Sequence, residues 1–468
     1  MEDPARLGAR GSTPGRAAIV IVCALALFGP MRPSPDTDTW WHLATGDLIV
    51  EQGSLPVSDP FSWTAAGKSW VLQAWGSDVI FAGIHDLAGA AGLIVFQGIL
   101  IGAAMVLMAG VLRTFARDEL VIAAVLLGTV IATSLVWTVR PHLLTVLFFA
   151  GFLRILSGTP GKMVWWLVPM TVVWANLHGA FVVGLAAVAI VAMTRSVSGE
   201  GHGLWGVLGA SVVAGCINPA GPALYLHPFR VIAASSEVLE WQPPGLRGPA
   251  AATFAIMTIG SLALLAWRRR KPPAGWLALA VVMALAGFAA VRNVPLGAMA
   301  VAPCLAFALD GLLPQPRSEG SAGERLGLKA TTAALVVGLA FLAASNLWGA
   351  GEERLLEAGR FPSAAIEELN QLPPGRLANP YDWGAYLIYT APDFPVSFDG
   401  RNDLYGRALL DRQLLLEELE PGWQEFLDQG DVRYVLWKRT EPLAEALRLD
   451  EGWRLLHEDR LAVLFERV

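Results

Sequence analysis

The chain has 468 residues, of which 54% are hydrophobic and only 16% are charged, and its formal net charge is −6. A soluble domain usually carries about 25% charged residues, so this composition excludes an ordinary soluble protein and predicts a polytopic membrane protein. The negative net charge gives no reason to expect a nucleic acid partner. The three cysteines all fall inside apolar runs, which predicts buried thiols rather than a disulfide framework.

Eleven apolar segments approach the length of about 20 residues that a membrane helix requires. In chain order they are Ala17–Met31, Ala88–Leu112, Leu120–Val139, Leu143–Leu156, Met163–Ala175, Ala180–Met193, Leu204–Ile217, Thr253–Trp267, Trp276–Val291, Val294–Leu313 and Ala330–Trp348. The fifth and sixth segments could be two helices that meet at a break. Lys and Arg concentrate in alternate loops, so the positive-inside rule places the N-terminus in the cytoplasm and the C-terminal part outside.

The sequence predicts two parts with different compositions. Residues 1–348 form the predicted transmembrane domain, with a long first outer loop at 32–87, and residues 349–468 have the composition of a small α/β domain on the outer face. Its predicted strands are Val396–Phe398, Arg433–Trp437, Trp453–His457 and Ala462–Phe465, and its predicted helices are Ser363–Gln371 and Ala408–Gln429, the second broken near Pro421. The predicted architecture is therefore a polytopic α-helical membrane protein with a C-terminal extracytoplasmic α/β domain.

Side chains that can take part in chemistry gather on one predicted side of the membrane. The outer loops carry Asp36, Asp38 and His42, then Arg140 and His142, Asn176 and His178, Glu237 and Glu240, and Arg292. The inner loops carry little besides basic residues and glycine. Because Asp, Asn and His contribute little to membrane orientation, this distribution predicts a site that faces the outer compartment.

The first outer loop opens with a pair of carboxylates and ends in an aromatic stretch. Asp36 and Asp38 could bind a divalent cation or provide a general base, and the structural alternative is a solvated helix exit. Trp40 and Trp41 are expected to fix the height of this segment at the membrane surface. The aromatic residues between positions 59 and 70 are expected to form an interfacial helix that lies on the membrane.

The remaining candidates come in pairs, each with a structural alternative: Asn176 with His178, Arg140 with Arg292, and Glu237 with Glu240. The first pair could satisfy the backbone at a helix break or line a site for a sugar or phosphate. The two arginines could extend toward the membrane surface, or bind the phosphate of a lipid through bidentate hydrogen bonds. The two glutamates are candidate acids, bases or metal ligands.

Three sequence motifs resemble known membrane enzymes. The segments Asp36–Gly46 (DTDTWWHLATG), Trp174–Gly179 (WANLHG) and Asn218-Pro219 are similar to a family of uncharacterised bacterial membrane proteins. That family is usually grouped with the GT-C superfamily of membrane glycosyltransferases, which includes protein mannosyltransferases, aminoarabinose transferases and oligosaccharyltransferases. The N-inside first span, the long acidic first outer loop and the C-terminal α/β domain also resemble this superfamily.

The resemblance implies a sugar transferred from a polyprenyl-phosphate donor at the outer face of the bacterial inner membrane. Asp36 or Asp38 would be the catalytic carboxylate, with a divalent cation such as Mg or Mn as a possible cofactor at the same pair. The donor phosphate or sugar would be bound by His42, Arg140, His142, Asn176, His178, Glu237, Glu240 and Arg292. Tyr381-Asp382-Trp383-Gly384 loosely resembles an acceptor-binding motif of oligosaccharyltransferases, with the aromatics exchanged and one tryptophan missing.

On the acceptor side, Asp399 and Arg401 in a polar turn are further candidates, and the acceptor could be a glycan, a lipid or a protein. Two other functions remain open: a transporter or flippase of lipid-linked sugars, and a non-catalytic glycan-binding membrane protein. A transporter would place polar residues near the bilayer midplane and show internal repeats. Here the polar residues gather at one face and no repeat is visible, so an enzyme is favoured.

Overall fold

The structure is a computed structural model and describes residues 13–158, 161–197, 199, 201–234, 239–312, 321–357 and 359–468. In the first part of the chain the helices are α1 (Thr13–Phe28), α2 (Thr39–Gln52), α3 (Trp75–Leu112), α4 (Glu119–Thr133), α5 (His142–Leu156), α6 (Leu167–Leu177), α7 (Phe181–Ser196), α8 (His202–Ala214), α9 (His227–Ala234), α10 (Pro249–Arg268), α11 (Ala274–Ala289), α12 (Val294–Leu309) and α13 (Ala322–Leu347). Within the described residues, each of the eleven predicted apolar segments overlaps one of these helices. The pair within 163–193 consists of two helices, α6 and α7, separated by an extended residue, His178.

The described residues contain five helices that are long and apolar enough to cross a membrane. They are Trp75–Leu112, Glu119–Val136, Pro249–Arg268, Val291–Leu309 and Ala322–Leu347, and several other apolar helices are shorter. The chain is thus a mostly helical, multi-pass membrane protein, while the number of eleven spans stays a prediction. Helix α3 is interrupted at Gly89, whose φ of 60° and ψ of −162° are open to glycine at no steric cost, so the predicted span from Ala88 starts at this break.

The C-terminal part combines short helices with a small sheet. The helices are α14 (Ser363–Leu369), α15 (Gly384–Thr390), α16 (Asn402–Tyr405), α17 (Arg407–Glu417), α18 (Trp423–Gln429) and α19 (Pro442–Leu449). The strands β1 (Leu377–Ala378), β2 (Tyr434–Lys438), β3 (Trp453–Glu458) and β4 (Ala462–Arg467) pair in the order β1-β2-β4-β3. The β1–β2 pair is parallel and the other pairs are antiparallel.

Most predicted elements of this part are confirmed, and one is wrong. Three of the predicted strands correspond to β2, β3 and β4, and the predicted helix break at Pro421 separates α17 from α18. The predicted strand Val396–Phe398 is not a strand, since only Val396 forms an isolated bridge, to Ser62. Val396, Ser397 and Phe398 are all buried, and burial alone does not require a hydrogen-bonded ladder.

The first outer loop packs on the C-terminal part, which contradicts the expected interfacial helix. Trp63 donates its indole N–H to the Leu377 carbonyl at 3.0 Å, and its ring lies 5.4 Å from that of Phe426. Trp40 is fully buried, with its ring centroid 4.9 Å from that of Tyr386, so it does not set a height at the membrane surface. Trp40 belongs to an apolar cluster formed by both parts of the chain, and Trp63 packs against a second such cluster, because their apolar area is removed from water there.

Candidate functional site

The predicted outer loops meet at one cavity. Its volume is about 440 Å³. Of the predicted site residues it is lined by Asp38, His42, Arg140, His142, His178, Glu240, Arg292, Tyr381 and Arg401. All five outer loops and the C-terminal part contribute to this wall, so these loops lie at the same end of the helical bundle. Convergence of this kind is expected of a shared site and not of unrelated helix ends.

Arg140 lies at the centre of a group of three carboxylates. Its Nε donates to Asp36 Oδ1 at 2.6 Å, and its Nη1 lies 3.1 Å from Asp38 Oδ2 and 2.7 Å from Glu240 Oε1. The Asp36 side chain is buried behind the cavity wall, whereas Glu240 is 44% exposed. This cluster joins the first, second and fourth outer loops through one guanidinium, whose planar set of N–H donors suits several carboxylates at once.

Asp38 is held from both sides at the start of α2. Its backbone N–H donates to Asp36 Oδ1 at 2.8 Å, so the Asp36 carboxylate fixes the backbone at Asp38. On the other side, the backbone of Gly400 in the C-terminal part lies against the Asp38 carboxylate, and a Cβ atom at Gly400 would overlap Oδ1. Glycine is therefore required at position 400 for this close approach.

The two carboxylates differ in their affinity for a proton. Burial disfavours the charged form of Asp36, but Arg140 and the Asp38 N–H outweigh burial and lower the pKa of the Asp36 carboxyl. Burial, together with the negative charges of Asp36 and Glu240, raises the pKa of Asp38 to about 7, although Arg140 opposes the shift. A carboxyl group with a pKa near neutrality can accept and return a proton under physiological conditions. Asp38, which lines the cavity, is therefore the candidate base.

Arg292 is placed differently from Arg140. Its guanidinium lies over the Trp241 ring, 4.4 Å from the centroid, and both residues line the cavity. Among the residues that the structure describes, no carboxylate oxygen forms an ion pair with it within 4 Å. A half-buried guanidinium with an aromatic support and no carboxylate in contact is suited to bind an anionic ligand.

The predicted histidines each use one ring nitrogen in a contact with the protein. His42 Nδ1 lies 2.6 Å from Asp78 Oδ1, and burial lowers the pKa of His42 well below its usual value. His142 Nε2 lies 2.8 Å from the Val136 carbonyl and His178 Nδ1 lies 2.7 Å from Thr145 Oγ1. Among the residues that the structure describes, the second nitrogen of each ring forms no hydrogen bond with the protein.

Sequence reasoning missed several residues of this cavity. Asp78, Trp70, His227, Asn293 and Asp403 line it, and Trp41 lines it as well. Asp78 is fully buried in the first turn of α3. One sequence signal could have identified Asp78: it is a carboxylate at the start of an apolar helix, beside a loop that contains histidine. Helix-end stabilisation explains such a residue equally well.

Four predicted site residues lie away from the cavity wall. Asn176 accepts a hydrogen bond from Trp75 Nε1 at 3.0 Å and donates to the Val172 and Ile217 carbonyls. Its partners thus lie in α6, at the start of α3 and just after α8, and none of them is at the break between α6 and α7. The others are Asp382, which pairs with Lys438 at 3.1 Å, Trp383 in the core, and Asp399. Glu237 lies outside the described residues.

Asp399 and Arg401 belong to a fully buried ion cluster. Arg401 donates two hydrogen bonds to Asp399, at 2.8 and 2.7 Å, and one to Asp59 at 2.7 Å. The Arg401 guanidinium also lies over the Trp70 ring, with its Cζ 4.7 Å from the ring centroid. This cluster connects the first outer loop with the C-terminal part, so the contacts of Asp399 are structural. Arg401 also lines the cavity.

The Asp36–Asp38 pair does not fit a preformed metal site. Arg140 already occupies the space between Asp36, Asp38 and Glu240 and neutralises part of their charge. In the parts of the chain that the structure describes, no group of three or more His, Cys, Asp or Glu side chains is placed to hold a metal ion. A divalent cation would need several oxygen ligands, and here those oxygens face a guanidinium instead.

Comparison with known proteins extends the description of the fold. No family model matches the chain, and no curated protein matches it by sequence. Among solved structures, the oligosaccharyltransferase AglB from Archaeoglobus fulgidus, in complex with an inhibitory peptide and a dolichol-phosphate, has a TM-score of 0.57 at 10% identity, over 95% of this chain and 73% of that chain. ArnT from Cupriavidus metallidurans has a TM-score of 0.53 at 15% identity, over 97% of both chains.

A third similar structure is the arabinofuranosyltransferase AftD from Mycobacteria, with a TM-score of 0.51 at 13% identity, over 98% of this chain and 40% of that chain. These neighbours are GT-C glycosyltransferases, the class that the sequence motifs resemble. At such low identity the similarity establishes a shared fold, and the chemistry has to be argued from the cavity.

Proposed function

We propose that the chain is a membrane glycosyltransferase that moves a sugar from a polyprenyl-phosphate donor to an acceptor at the outer face of the cytoplasmic membrane. One observation carries the proposal: a single cavity combines Asp38, a carboxyl group with a pKa of about 7, with Arg292, a half-buried guanidinium that no described carboxylate contacts. Transfer of a glycosyl group from a phosphate requires both a proton acceptor and a cation for the leaving phosphate.

Asp38 and Arg292 have separate roles in the proposed reaction. Asp38 accepts the proton of the acceptor hydroxyl while the hydroxyl oxygen bonds to the anomeric carbon of the sugar. The bond from that carbon to the phosphate oxygen breaks, and its electron pair leaves with the polyprenyl phosphate. Arg292 stabilises the charge that develops on the departing phosphate, and a single displacement inverts the anomeric centre.

Arg140 has a positioning role in this reaction. The three carboxylates around Arg140 largely neutralise its positive charge. Arg140 therefore orients Asp38 instead of binding the donor phosphate. No step is assigned to a metal ion, since the guanidinium occupies the place between the carboxylates. This assignment differs from the expectation that Arg140 and Arg292 are equivalent phosphate ligands.

The lipid donor and the acceptor are argued from different observations. AglB, which shares the fold, has been solved with a dolichol-phosphate, and this supports a lipid-linked phosphate as the donor here. The acceptor would approach from the C-terminal part, where Tyr381 and the turn that contains Gly400 cover the cavity beside Asp38. A glycan, a lipid or a protein could present the hydroxyl.

The direct experiment is incubation of the purified protein with a panel of radiolabelled polyprenyl-phosphate sugars in proteoliposomes. The proposal predicts that label leaves the lipid and appears on an acceptor or as free sugar. Movement of intact labelled lipid across the membrane without cleavage would instead identify a flippase. Binding without cleavage or movement would identify a glycan-binding protein.

A further inference from the structure

A chain of hydrogen bonds reaches from the protein core to the cavity through Trp174, Thr145 and His178. The Trp174 indole Nε1 donates to Thr145 Oγ1 at 3.0 Å, and the same hydroxyl lies 2.7 Å from His178 Nδ1. Trp174 is completely buried, Thr145 is 3% exposed and His178 is 8% exposed. Of the three, only His178 lines the cavity.

The chemistry of the three groups sets the direction of these bonds. An indole N–H can only donate, so the Thr145 hydroxyl accepts from Trp174. Its own hydrogen is then free to point at His178 Nδ1, which is the acceptor within reach. An imidazole that accepts at Nδ1 while neutral carries its proton on Nε2. With the Thr145 hydrogen directed at Nδ1, the ring presents an N–H donor, and not a lone pair, at its second nitrogen.

The break between α6 and α7 turns this ring toward the cavity. His178 has an extended backbone, with φ of −165° and ψ of 135°, and follows Trp174 by one helical turn. The next residue, Gly179, donates its N–H to Gln73 Oε1 at 2.7 Å, and a Cβ atom there would lie 2.6 Å from the same oxygen. The turn at the break between α6 and α7 thus accounts for the positions of Trp174, His178 and Gly179 in the sequence.

The charges around His178 agree with a neutral donor. Burial and the positive charge of Arg292 lower the pKa of His178 well below its usual value, so the ring is neutral at physiological pH. His142 and His227 also face it across the cavity and act in the same direction. An anion beside Arg292 could accept a hydrogen bond from the neutral ring, which would not first have to gain a proton.

We infer that the Nε2–H of His178 and the guanidinium of Arg292 together bind the phosphoryl oxygens of a lipid-linked phosphate. Thr145 and Trp174 are positioning residues that hold His178 in the tautomer required for this contact. The inference rests on the proposed function, because that function requires an anionic leaving group in this cavity. It adds two buried residues, neither of which lines the cavity, to the set that determines donor binding.

The test uses the full-length protein in nanodiscs and a short probe, farnesyl phosphate, with farnesol as the matched compound that lacks the phosphate. Wild type should bind farnesyl phosphate at least about tenfold more tightly than farnesol. Thr145→Val removes the hydroxyl at nearly constant volume and should abolish most of this preference, as should His178→Gln. Thr145→Ser restores a hydroxyl and should restore the preference.

Thr171→Val is the matched control. Thr171 is also a buried threonine, but its hydroxyl donates to the Leu167 carbonyl of its own helix at 2.7 Å, away from the cavity. This variant should keep the preference of wild type. If Thr145→Val also kept it while wild type preferred the phosphate, the inference would be overturned and the proposed function would stand. Equal binding of both probes by wild type would overturn both.

A second measurement reads the position of the His178 ring proton in the wild-type protein. Nitrogen-15 NMR of ring-labelled histidine, assigned with His178→Gln, reports which ring nitrogen carries the proton. The inference predicts that the His178 proton is on Nε2 in the ligand-free protein. A proton on Nδ1 would mean that Thr145 accepts it and that Nε2 offers a lone pair, which would contradict an anion contact at that atom.

Discussion

In two clusters of the molecule an arginine pairs with two aspartates, and the clusters differ in what surrounds these three residues. In the cluster of Asp59, Asp399 and Arg401 the side chains are fully buried. In the cluster of Asp36, Asp38 and Arg140, the arginine is 17% exposed and Asp38 is 19% exposed. The first cluster is closed off by protein, and the second forms part of a cavity wall.

The hydrogen bonds show the same difference. Arg401 donates from all three nitrogens of its guanidinium to Asp59 and Asp399, and Asp59 also accepts from the backbone of Phe61 and Ser62. Asp38, by contrast, has one arginine contact and the Gly400 backbone beside it. A carboxylate whose acceptor sites are filled by protein stabilises the fold, while one with unused acceptor sites in a cavity can bind or react.

The largest effect is expected at the open cluster. Asp38→Asn removes the proton acceptor and should reduce sugar transfer by about 10²–10⁴-fold, the usual range for a general base. The transfer rate from a radiolabelled polyprenyl-phosphate sugar would be measured. Asp428→Asn is a control because Asp428 is 64% exposed and pairs with Arg467 outside the cavity. Equal rates in Asp38→Asn and wild type would contradict the assignment of the base.

The second largest effect on the transfer rate is expected from replacing Arg292. Arg292→Leu removes the guanidinium beside Trp241 and should lower the transfer rate by about 10²–10³-fold, as is typical when one oxyanion ligand is lost. Arg247→Leu is the matched control, since Arg247 is an exposed arginine of the preceding loop that does not line the cavity. If the two variants behaved alike, Arg292 would not be the phosphate ligand.

A smaller effect should result from displacing Asp38 without removing it. Gly400→Ala places a Cβ against Asp38 Oδ1, so the carboxylate has to move, and misplacement of this size should cost about tenfold to hundredfold in transfer rate. In Gly245→Ala the new Cβ would meet no atom within 4 Å, and the rate should match that of wild type. Unchanged transfer in Gly400→Ala would show that the position of Asp38 is not critical.

The smallest effect concerns pH. Because the pKa of Asp38 is raised to about 7, its basic form is present above that pH, and the transfer rate should fall by about tenfold per pH unit below it. Glu240 is one of the negative charges that raise this pKa, so Glu240→Gln should move the acid limb of the rate profile to lower pH. A shift to higher pH, or none, would show that a different group titrates.

Part of this account could be predicted from the sequence. The apolar segments and the one-sided placement of polar residues follow from local patterns, because hydropathy and charge bias act within single segments. Which arginine meets which carboxylate could not be predicted, since Arg140 is 104 residues from Asp36 and Arg401 is 342 residues from Asp59. Those pairings depend on how distant loops pack.

Two wrong predictions have the same cause. Trp40 and the aromatic residues near Trp63 were assigned to the membrane surface because aromatic residues are common there. They are buried against the C-terminal part instead, since that part offers an apolar surface that the local sequence does not reveal. Similarly, the pattern at Val396–Phe398 reflects burial without a strand.

The matched pair Arg140→Met and Arg401→Met tests the comparison most directly, with transfer rate and free energy of unfolding measured on the same preparations. Arg401→Met leaves two carboxylates buried without a cation and should lower the free energy of unfolding by about 3–5 kcal/mol. Arg140→Met should destabilise the protein less, because Glu240 is 44% exposed and can be hydrated, but should lose transfer. Equal destabilisation in both variants, with transfer falling only in proportion to it, would contradict the division into a reactive and a structural cluster.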